Sequence, residues 1–384
     1  MAAEPRAQDD ERQPGGVPMK ILTVIGARPQ FIKAAPVSRA IRSISGGRTG
    51  TNAIVEVLVH TGQHYDREMS DVFFQELDLP EPAHHLGVGP GPHGQQTGRM
   101  LEGLERVLGM ERPDLALVYG DTNSTLAGAL AAGKLRIPIA HVEAGLRSFN
   151  RAMPEELNRI VTDHLATYLF CPTSLAVKNL SCEGIVTGVH LVGDVMHEVL
   201  QLSLPVAKAR SRVLEQWSLS SKGYDLVTVH RAENTDVRER LAGILQGLAR
   251  LDRPAVFPCH PRTKKMIDQF GLASLLSSSR VRVIDPLGYL DMLRLESEAA
   301  VILTDSGGVQ KEAYWLGVPC VTLRDETEWV ETVDAGWNRL AGTDPAAIVA
   351  AAHTAFDALP SESGQLYGDG TAAERILGIL QAAA

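Results

Sequence analysis

The sequence predicts an α/β protein made of two doubly wound domains that face each other across a cleft. Short β-branched runs alternate with longer amphipathic segments from Lys20 onward, which is the pattern of βαβ units in a parallel sheet covered by helices. The alternation stops near residues 200–222 and then begins again. The length of 384 residues also suits two domains of ordinary size.

The first half of the chain contains six predicted strands and the helices that connect them. We place the first domain at residues 19–200. The polar leader at 1–18 is rich in Pro and Gly and is expected to be disordered, with Met19 as an alternative start. The predicted strands are 21–25, 54–60, 115–119, 139–142, 168–171 and 190–192, and helices are expected at 31–44, 122–134 and 155–164.

A second sheet is predicted after a long polar helical stretch near residues 194–218. We assign residues 201–364 to a second domain. In doubly wound sheets, ligands bind outside the carboxyl ends of the strands, so a polar residue directly after a strand is a candidate site residue. The predicted strands of this half are 226–229, 255–258, 281–284, 301–304 and 320–323.

The overall charge and the cysteines exclude several classes of protein. The chain has 37 Lys and Arg residues against 46 Asp and Glu, a formal net charge of -9, whereas a nucleic-acid-binding scaffold normally presents a basic face. No apolar run approaches the ~20 residues that span a bilayer, so neither nucleic acid nor membrane is an expected partner. The four cysteines are scattered, which favours reduced thiols in a cytoplasmic protein.

Three patterns that often mark cofactor or metal sites do not fit their usual context. Residues 89–94 match G-x-G-x-x-G, but the run contains two prolines, follows no predicted strand and is not expected to lead into a helix. Residues 128–134 nearly match a phosphate-binding P-loop, but Leu135 stands where Ser or Thr is needed. The histidines within 84–93 have no carboxylates around them. We therefore expect no cofactor and no metal site.

Basic residues follow the first predicted strand. Arg28 lies at the junction with the next helix, whose first turn is marked by Pro29, and Gly26 lets a ligand approach the backbone. An arginine beside free helix N–H groups suits a diphosphate, and Lys33 is placed to face the same cleft. A loop arginine that pairs with a surface acid is the structural alternative for Arg28.

Three acidic residues follow strands or begin a helix in the first half. Asp121 and Glu143 end adjacent predicted strands, where burial and mutual repulsion are expected to raise one pKa toward neutrality. Glu155 begins a later helix, where acids also favour the helix dipole. Asp is likewise a common N-cap, so structural roles remain open for Asp121 and Glu155.

The strand ends of the second half carry cationic and glycine-rich segments. His230 with Arg231 and His260 with Arg262 suit a diphosphate, although imidazoles can also cap strand ends. The segment 304–312 opens a helix after a strand and is the strongest nucleotide signal. Gly307 and Gly308 let a phosphate approach the N–H groups at the helix start, Ser306 adds a hydroxyl, and Glu312 can accept hydrogen bonds from both ribose hydroxyls. Glycosyl transfer, or elimination and epimerisation of a nucleotide sugar, would use such a site.

Seven ordered segments carry a family resemblance from about Lys20 to the end of the chain. At these segments the chain resembles the non-hydrolysing UDP-N-acetylglucosamine 2-epimerases: GARPQFIKAAP, HTGQHYD, VYGDTNSTLAG, HVEAGLRSFNRAMPEELNR, VTVHRAEN, FPCHPRTKK and LTDSGGVQKEA. The resemblance implies two Rossmann-like domains of the GT-B type, a homodimer, and interconversion of UDP-GlcNAc and UDP-ManNAc for cell-surface polysaccharides. It also implies that a C-terminal helix at 365–384 crosses back onto the first domain.

The resemblance assigns roles to the candidate residues. It implies that the C2 proton and UDP leave to give a 2-acetamidoglucal intermediate, and that a proton and UDP then add back. It does not identify the base. Asp121, Glu143, Glu155 and His230 are the implied catalytic residues. The implied substrate-binding residues are Arg28, Lys33, Arg159, Ser306, Gly307, Gly308, Glu312 and Arg324.

Two segments depart from the commoner family pattern. Residues 327–331, TEWVE, resemble relatives that act on UDP-2,3-diacetamido-2,3-dideoxy-glucuronate, so the substrate stays open between this sugar and UDP-GlcNAc. Residues 63–66, QHYD, differ from members that bind a second regulatory UDP-GlcNAc, so that site is also undecided. A glycosyltransferase and a non-catalytic UDP-sugar-binding regulator are the alternatives from other functional classes.

Overall fold

Two parallel β-sheets form the framework of the chain. The structure is a computed structural model and describes residues 18–45, 53–63, 74, 77–277, 280–354 and 366–383. Residues 1–17 of the predicted leader and residues 64–66 of the QHYD segment lie outside the described residues. Among the helices described, none combines the length and the apolar character that crossing a membrane requires.

The first sheet has seven parallel strands in the order β3-β2-β1-β4-β5-β6-β7. Its central strand β4 is buried along its whole length, as expected for a parallel strand covered on both faces. The two-residue strand β3 was not predicted. The strands are β1 (Met19–Ile25), β2 (Ile54–His60), β3 (His84–His85), β4 (Leu115–Tyr119), β5 (Ile139–Val142), β6 (Tyr168–Cys171) and β7 (Val189–Leu191).

The second sheet has six parallel strands in the order β10-β9-β8-β11-β12-β13. In each sheet the strand order reverses beside the first strand, between β1 and β4 and between β8 and β11, and ligands of doubly wound folds bind at such points. The strands are β8 (Asp225–Thr228), β9 (Ala255–Pro258), β10 (Val281–Ile284), β11 (Val301–Thr304), β12 (Cys320–Thr322) and β13 (Asn338–Leu340). Strand β13 was not predicted.

Six helices accompany the first sheet. They are α1 (Arg28–Ser45), α2 (His93–Glu111), α3 (Asn123–Lys134), α4 (Pro154–Leu165), α5 (Ser174–Cys182) and α6 (Val195–Arg210). The expectation that no helix follows the 89–94 run is wrong, because α2 begins at His93. His84 was expected to lack a nearby carboxylate, and this too is wrong, because its Nε2 lies 2.8 Å from Glu111 Oε1 at the far end of α2.

Ten further helices complete the described part of the chain. They are α7 (Val213–Gln216), α8 (Ala232–Thr235), α9 (Arg238–Ala249), α10 (Pro261–Gln269), α11 (Ser274–Ser277), α12 (Tyr289–Glu298), α13 (Gly307–Trp315), α14 (Val330–Asp334), α15 (Pro345–His353) and α16 (Ala372–Ala382). Helix α16 packs against α1 and α6 and buries Ile376, Leu377 and Leu380 in the core of the first sheet. Helix α6 runs through the predicted boundary at residue 200, so the exact domain limits stay predictions.

Candidate active site

The loops after β1, β4 and β5 and those after β8 and β11 meet between the two sheets. Lys33 of α1 and Glu143, directly after β5, face Lys311 of α13. Arg28, at the start of α1, acts electrostatically on Glu312 of α13. The site therefore takes side chains from the carboxyl edges of both sheets, as the strand-end argument predicts.

Glu143 is a buried carboxylate enclosed by two ammonium groups. One oxygen, Oε2, is paired with Lys33, and the other, Oε1, accepts a hydrogen bond of 2.9 Å from Lys311 Nζ. The residue has a φ of 72°, an unusual backbone conformation for a side chain of this size. Gly120 makes room for the pair, since a Cβ there would lie 2.8 Å from Lys33 Nζ.

The expected rise in one carboxylate pKa is wrong for Glu143. Burial alone would raise the pKa, but Lys311 and Lys33 outweigh it and lower the pKa of Glu143 to about 2. Asp121 in turn is paired with Arg159, at 2.5 Å between Oδ2 and Nη1. Each carboxylate therefore has a cationic partner from another part of the chain.

Arg159 organises the loop beside Asp121. It is buried and also donates to Glu156 Oε2 at 2.6 Å. Glu156 accepts further hydrogen bonds from the backbone N–H groups of Ser148 and Phe149, both at 2.9 Å. Glu156 thus holds the loop that precedes α4, while its neighbour in the first turn faces outward.

Glu155 is that outward-facing neighbour. Its side chain is 37% exposed and lies 3.9 Å from Arg231 Nη1, across from the second sheet. Of the two adjacent acids at the start of α4, Glu155 alone combines an exposed carboxylate with a cationic group from the opposite sheet. It therefore remains a candidate for proton transfer.

His230 and His260 differ in their surroundings. Asp305, buried at the end of β11, accepts hydrogen bonds of 3.0 Å from the backbone N–H groups of both His230 and Arg231, so it fixes the loop after β8. The His230 ring is 46% exposed. His260 is the N-cap of α10, and its Nδ1 accepts from the N–H of Arg262 at 3.2 Å. For His260 the structure thus displays the capping contact named as the alternative.

Cationic groups gather near these imidazoles. Burial, His230, Arg262 and Arg28 together lower the pKa of His260. Three of the predicted cations therefore lie close enough to repel a charge on His260. Such a concentration of positive charge at strand ends suits a diphosphate.

The helix α13 presents its N-terminal turn to this region. Its N-cap is Ser306, and Gly307 is required for packing because a Cβ there would lie 2.9 Å from Trp329 Nε1. Glu312 lies one turn along the helix and is buried. Burial raises the pKa of Glu312 to about 7 against the lowering effects of Arg28 and Lys311. Among the described residues, Glu312 Oε1 has no hydrogen-bond partner.

The loop that departs from the commoner pattern packs onto α13 and onto Arg324. Arg324 is buried, with its Nη1 at 2.9 Å from Glu328 Oε2 and its Nε at 3.0 Å from Glu233 Oε1. Burial would raise the pKa of Glu328, but Arg324, Arg231 and Arg159 lower it to about 2. The residues 327–331 are therefore part of the site's wall.

Several functional candidates were missed by the sequence reasoning. Lys311, Asp194, Glu296, Glu328 and Trp329 are buried around the candidate residues. The signal for Lys311 was its place inside the glycine-rich segment, one residue before Glu312. Glu328 and Trp329 lie in the departing 327–331 segment. Asp194 and Glu296 lie in no recognisable motif, and only the fold brings them to the site.

Comparisons with known proteins agree with this arrangement. A sequence model of the family described as UDP-N-acetylglucosamine 2-epimerase matches residues 49–381. A "UDP-N-acetylglucosamine 2-epimerase homolog" of Methanococcus maripaludis is 49% identical over 94% of this chain and 99% of its own. The UDP-2,3-diacetamido-2,3-dideoxy-D-glucuronate 2-epimerase of Pseudomonas aeruginosa is also 49% identical, over 93% of this chain and 98% of its own.

Solved structures give the same result for the fold. The crystal structure of the Methanocaldococcus jannaschii UDP-GlcNAc 2-epimerase in complex with UDP-GlcNAc and UDP is 44% identical, with a TM-score of 0.88 over 95% of this chain and 100% of that one. The Neisseria meningitidis enzyme bound to UDP-GlcNAc has a TM-score of 0.85 at 31% identity, over 95% of this chain and 100% of its own. The predicted two-domain α/β fold of the GT-B type is confirmed.

Proposed function

This chain belongs to the UDP-N-acetylglucosamine 2-epimerase family, and on that premise we propose that it reversibly epimerises C2 of a UDP-2-acetamido sugar, UDP-GlcNAc to UDP-ManNAc. The observation that carries the proposal is the contact between Glu143 and Lys311. It sets an acid of the first sheet against the glycine-initiated helix of the second, where a UDP group would bind.

The proposed reaction is an elimination followed by a re-addition. A carboxylate takes the C2 proton, the electron pair of that C–H bond forms the C1–C2 double bond, and the C1–O bond breaks with its electrons leaving on UDP. The bound products are 2-acetamidoglucal and UDP. Return of a proton to the opposite face of C2, with re-addition of UDP at C1, gives the epimer without net gain or loss of atoms.

We propose Asp121, Glu143 and Glu155 as the acid and base groups of these steps. Two opposed groups fit a proton that leaves from one face and returns to the other. Glu143, with its pKa lowered to about 2, stays ionised at neutral pH. Asp121 and Glu155 have partly exposed carboxylates, with 29% and 37% of their side chains exposed.

The UDP group is proposed to bind on α13. Its diphosphate would accept hydrogen bonds from the Ser306 hydroxyl and from the N–H groups of Gly307 and Gly308, where the helix dipole also favours negative charge. Glu312 would accept hydrogen bonds from the ribose hydroxyls. Its buried Oε1, which has no hydrogen-bond partner among the described residues, supports this assignment. The cations proposed around the diphosphate and the sugar are Arg28, Lys33, Arg159, His230 and Arg324.

The same reaction on UDP-2,3-diacetamido-2,3-dideoxy-glucuronate is a second candidate. Two observations favour it: the Pseudomonas aeruginosa relative at 49% identity, and the place of Thr327, Glu328 and Trp329 against α13. Thr327 Oγ1 donates to Gln310 Oε1 at 2.7 Å, and Lys311 Nζ lies 4.0 Å from the Trp329 ring centroid. A loop so placed can select among sugars.

Incubation with each sugar nucleotide in deuterium oxide tests the proposal. We expect deuterium at C2 and formation of the manno epimer from at least one of the two sugars, measured by proton NMR. Transfer of the sugar to an acceptor without C2 exchange would instead identify a glycosyltransferase. UDP-sugar binding without exchange or transfer would identify a non-catalytic regulator, and either outcome would contradict epimerisation.

The remaining assignments concern the setting of the enzyme. We propose a homodimer, supported by the exposed apolar side chains of Leu157, Val161 and Leu165 at four-residue spacing along α4. Light scattering should then give the mass of two chains. The four free cysteines suit a reducing cytoplasm. There the enzyme would supply precursors of cell-surface polysaccharides.

A further inference from the structure

Lys311 is a buried cation for which the reaction as proposed so far has no use. We propose that it is a positioning residue: its ammonium holds the Glu143 carboxylate ionised and in place against the nucleotide-binding helix. The inference rests on the proposed function, since it concerns the state of a proposed acid–base group.

The contacts of Lys311 come from three different parts of the fold. Its Nζ lies 2.9 Å from Glu143 Oε1, after β5, and 2.5 Å from Asp194 Oδ2, the N-cap of α6. The same atom lies 4.0 Å from the centroid of the Trp329 ring, on the loop before α14. The side chain is fully buried. An ammonium enclosed in this way has few alternative positions, so it fixes where Glu143 can lie.

The charges of this cluster balance. Lys33 from α1 and Lys311 from α13 face two carboxylates, Glu143 and Asp194, and all four side chains are buried. In the turn after β4, the residue that lies next to Glu143 is Gly120, which carries no charge. Asp121, next along that turn, is paired with Arg159, and Glu312 beside Lys311 interacts with it electrostatically. Loss of Lys311 would leave Glu143 with Lys33 alone and would remove the ammonium that contacts Asp194.

Such an imbalance has a specific consequence. A buried carboxylate that loses a cationic partner is less stable in its ionised form, so its pKa rises. For the wild type, Lys311 lowers the pKa of Glu143. Removal of the ammonium should therefore change the pH at which Glu143 titrates, whereas removal of a merely space-filling side chain would not.

The pH dependence of kcat in Lys311→Met tests the inference. On the acid side of the profile, the acid limb, kcat should fall ~10-fold per pH unit. In the variant this fall should begin ~1–3 pH units higher than in the wild type. The double variant Lys311→Met with Asp194→Asn restores one cation per carboxylate and keeps a good N-cap for α6. Its limb should lie between those of the single variant and the wild type. Lys208→Met, on the exposed last turn of α6, is the matched control and should behave as the wild type.

The outcomes separate this inference from the proposed function. Absence of C2 exchange in the wild type would contradict the proposed function itself. Exchange in the wild type, with a lower kcat but an unchanged acid limb in Lys311→Met, would overturn the positioning role. If Lys311→Met does not fold, the double variant decides, because its limb should still lie above that of the wild type. Lys311→Arg should keep the wild-type limb, since it keeps the charge.

Discussion

Two buried glutamates on opposite sides of the site differ in their charge state. Glu143, at the edge of the first sheet, has its pKa lowered to about 2, whereas Glu312, on the first helix after β11, has its pKa raised to about 7. Both side chains are similarly buried. The comparison shows that burial alone does not set the charge of an acid, because the partners enclosed with it decide the direction.

The partners of the two residues explain the difference. Glu143 contacts two ammonium groups, from Lys33 and Lys311. Glu312 has Arg28, Lys311 and a hydrogen bond with Glu296 to lower its pKa, but burial outweighs all of them. In the proposed reaction, the first region supplies a carboxylate that stays ionised at neutral pH. The second supplies a carboxyl with a pKa of about 7, which is proposed to bind the ribose hydroxyls in its ionised form.

The largest expected effect comes from removing the permanent anion. Glu143→Gln should lower kcat by at least ~10²-fold, the usual size of a lost acid–base group, while UDP still binds. Turnover by NMR and UDP affinity by calorimetry measure the two quantities. Glu102→Gln, the same change at an exposed position of α2, is the control. If turnover and UDP binding were lost together, Glu143 would have a folding role, and the claim that it takes part in proton transfer would be contradicted.

A smaller effect is expected on the nucleotide side. Glu312→Gln should weaken UDP binding roughly 10–100-fold, because hydrogen bonds to a charged acceptor are lost. Glu239→Gln, on the exposed first turn of α9, should leave the affinity unchanged. An unchanged UDP affinity in Glu312→Gln would remove the ribose assignment.

The pH dependence of UDP binding sharpens the same point. The ribose hydroxyls need the ionised form of Glu312, so UDP affinity should be full above its pKa of about 7. Below that pH the affinity should fall by up to ~10-fold per pH unit. In Glu312→Gln the affinity should lose this dependence. Binding that strengthens on acidification would contradict the ionised-acceptor role.

The strand-end rule predicted much of the site from the sequence. It selected Arg28, Asp121, Glu143 and His230, and all four lie at carboxyl edges of the two sheets. The ordered motifs identified the family, which the comparisons confirm. These successes share a cause, since strand ends and glycine-rich turns are local features that a sequence displays directly.

The failures concern contacts between distant parts of the chain. A raised pKa was expected for either Asp121 or Glu143, and Glu143 instead has a lowered pKa because of Lys33 and Lys311, which are 110 and 168 residues away from it along the chain. Lys311 lies in the glycine-rich segment next to Glu312, but its contacts with Glu143 and Asp194 come from the first half of the chain. The short strands β3 and β13 have two and three residues, too few to show a period.

The comparison of the two glutamates can be measured directly by carbon-13 NMR of a protein labelled at the glutamate side-chain carboxyl. Glu143→Gln and Glu312→Gln assign the two signals. Between about pH 5 and 9 the Glu143 signal should keep the shift of an ionised carboxylate, while the Glu312 signal titrates near neutrality. Titration of Glu143 in this range, or a Glu312 signal that stays ionised throughout, would contradict the account.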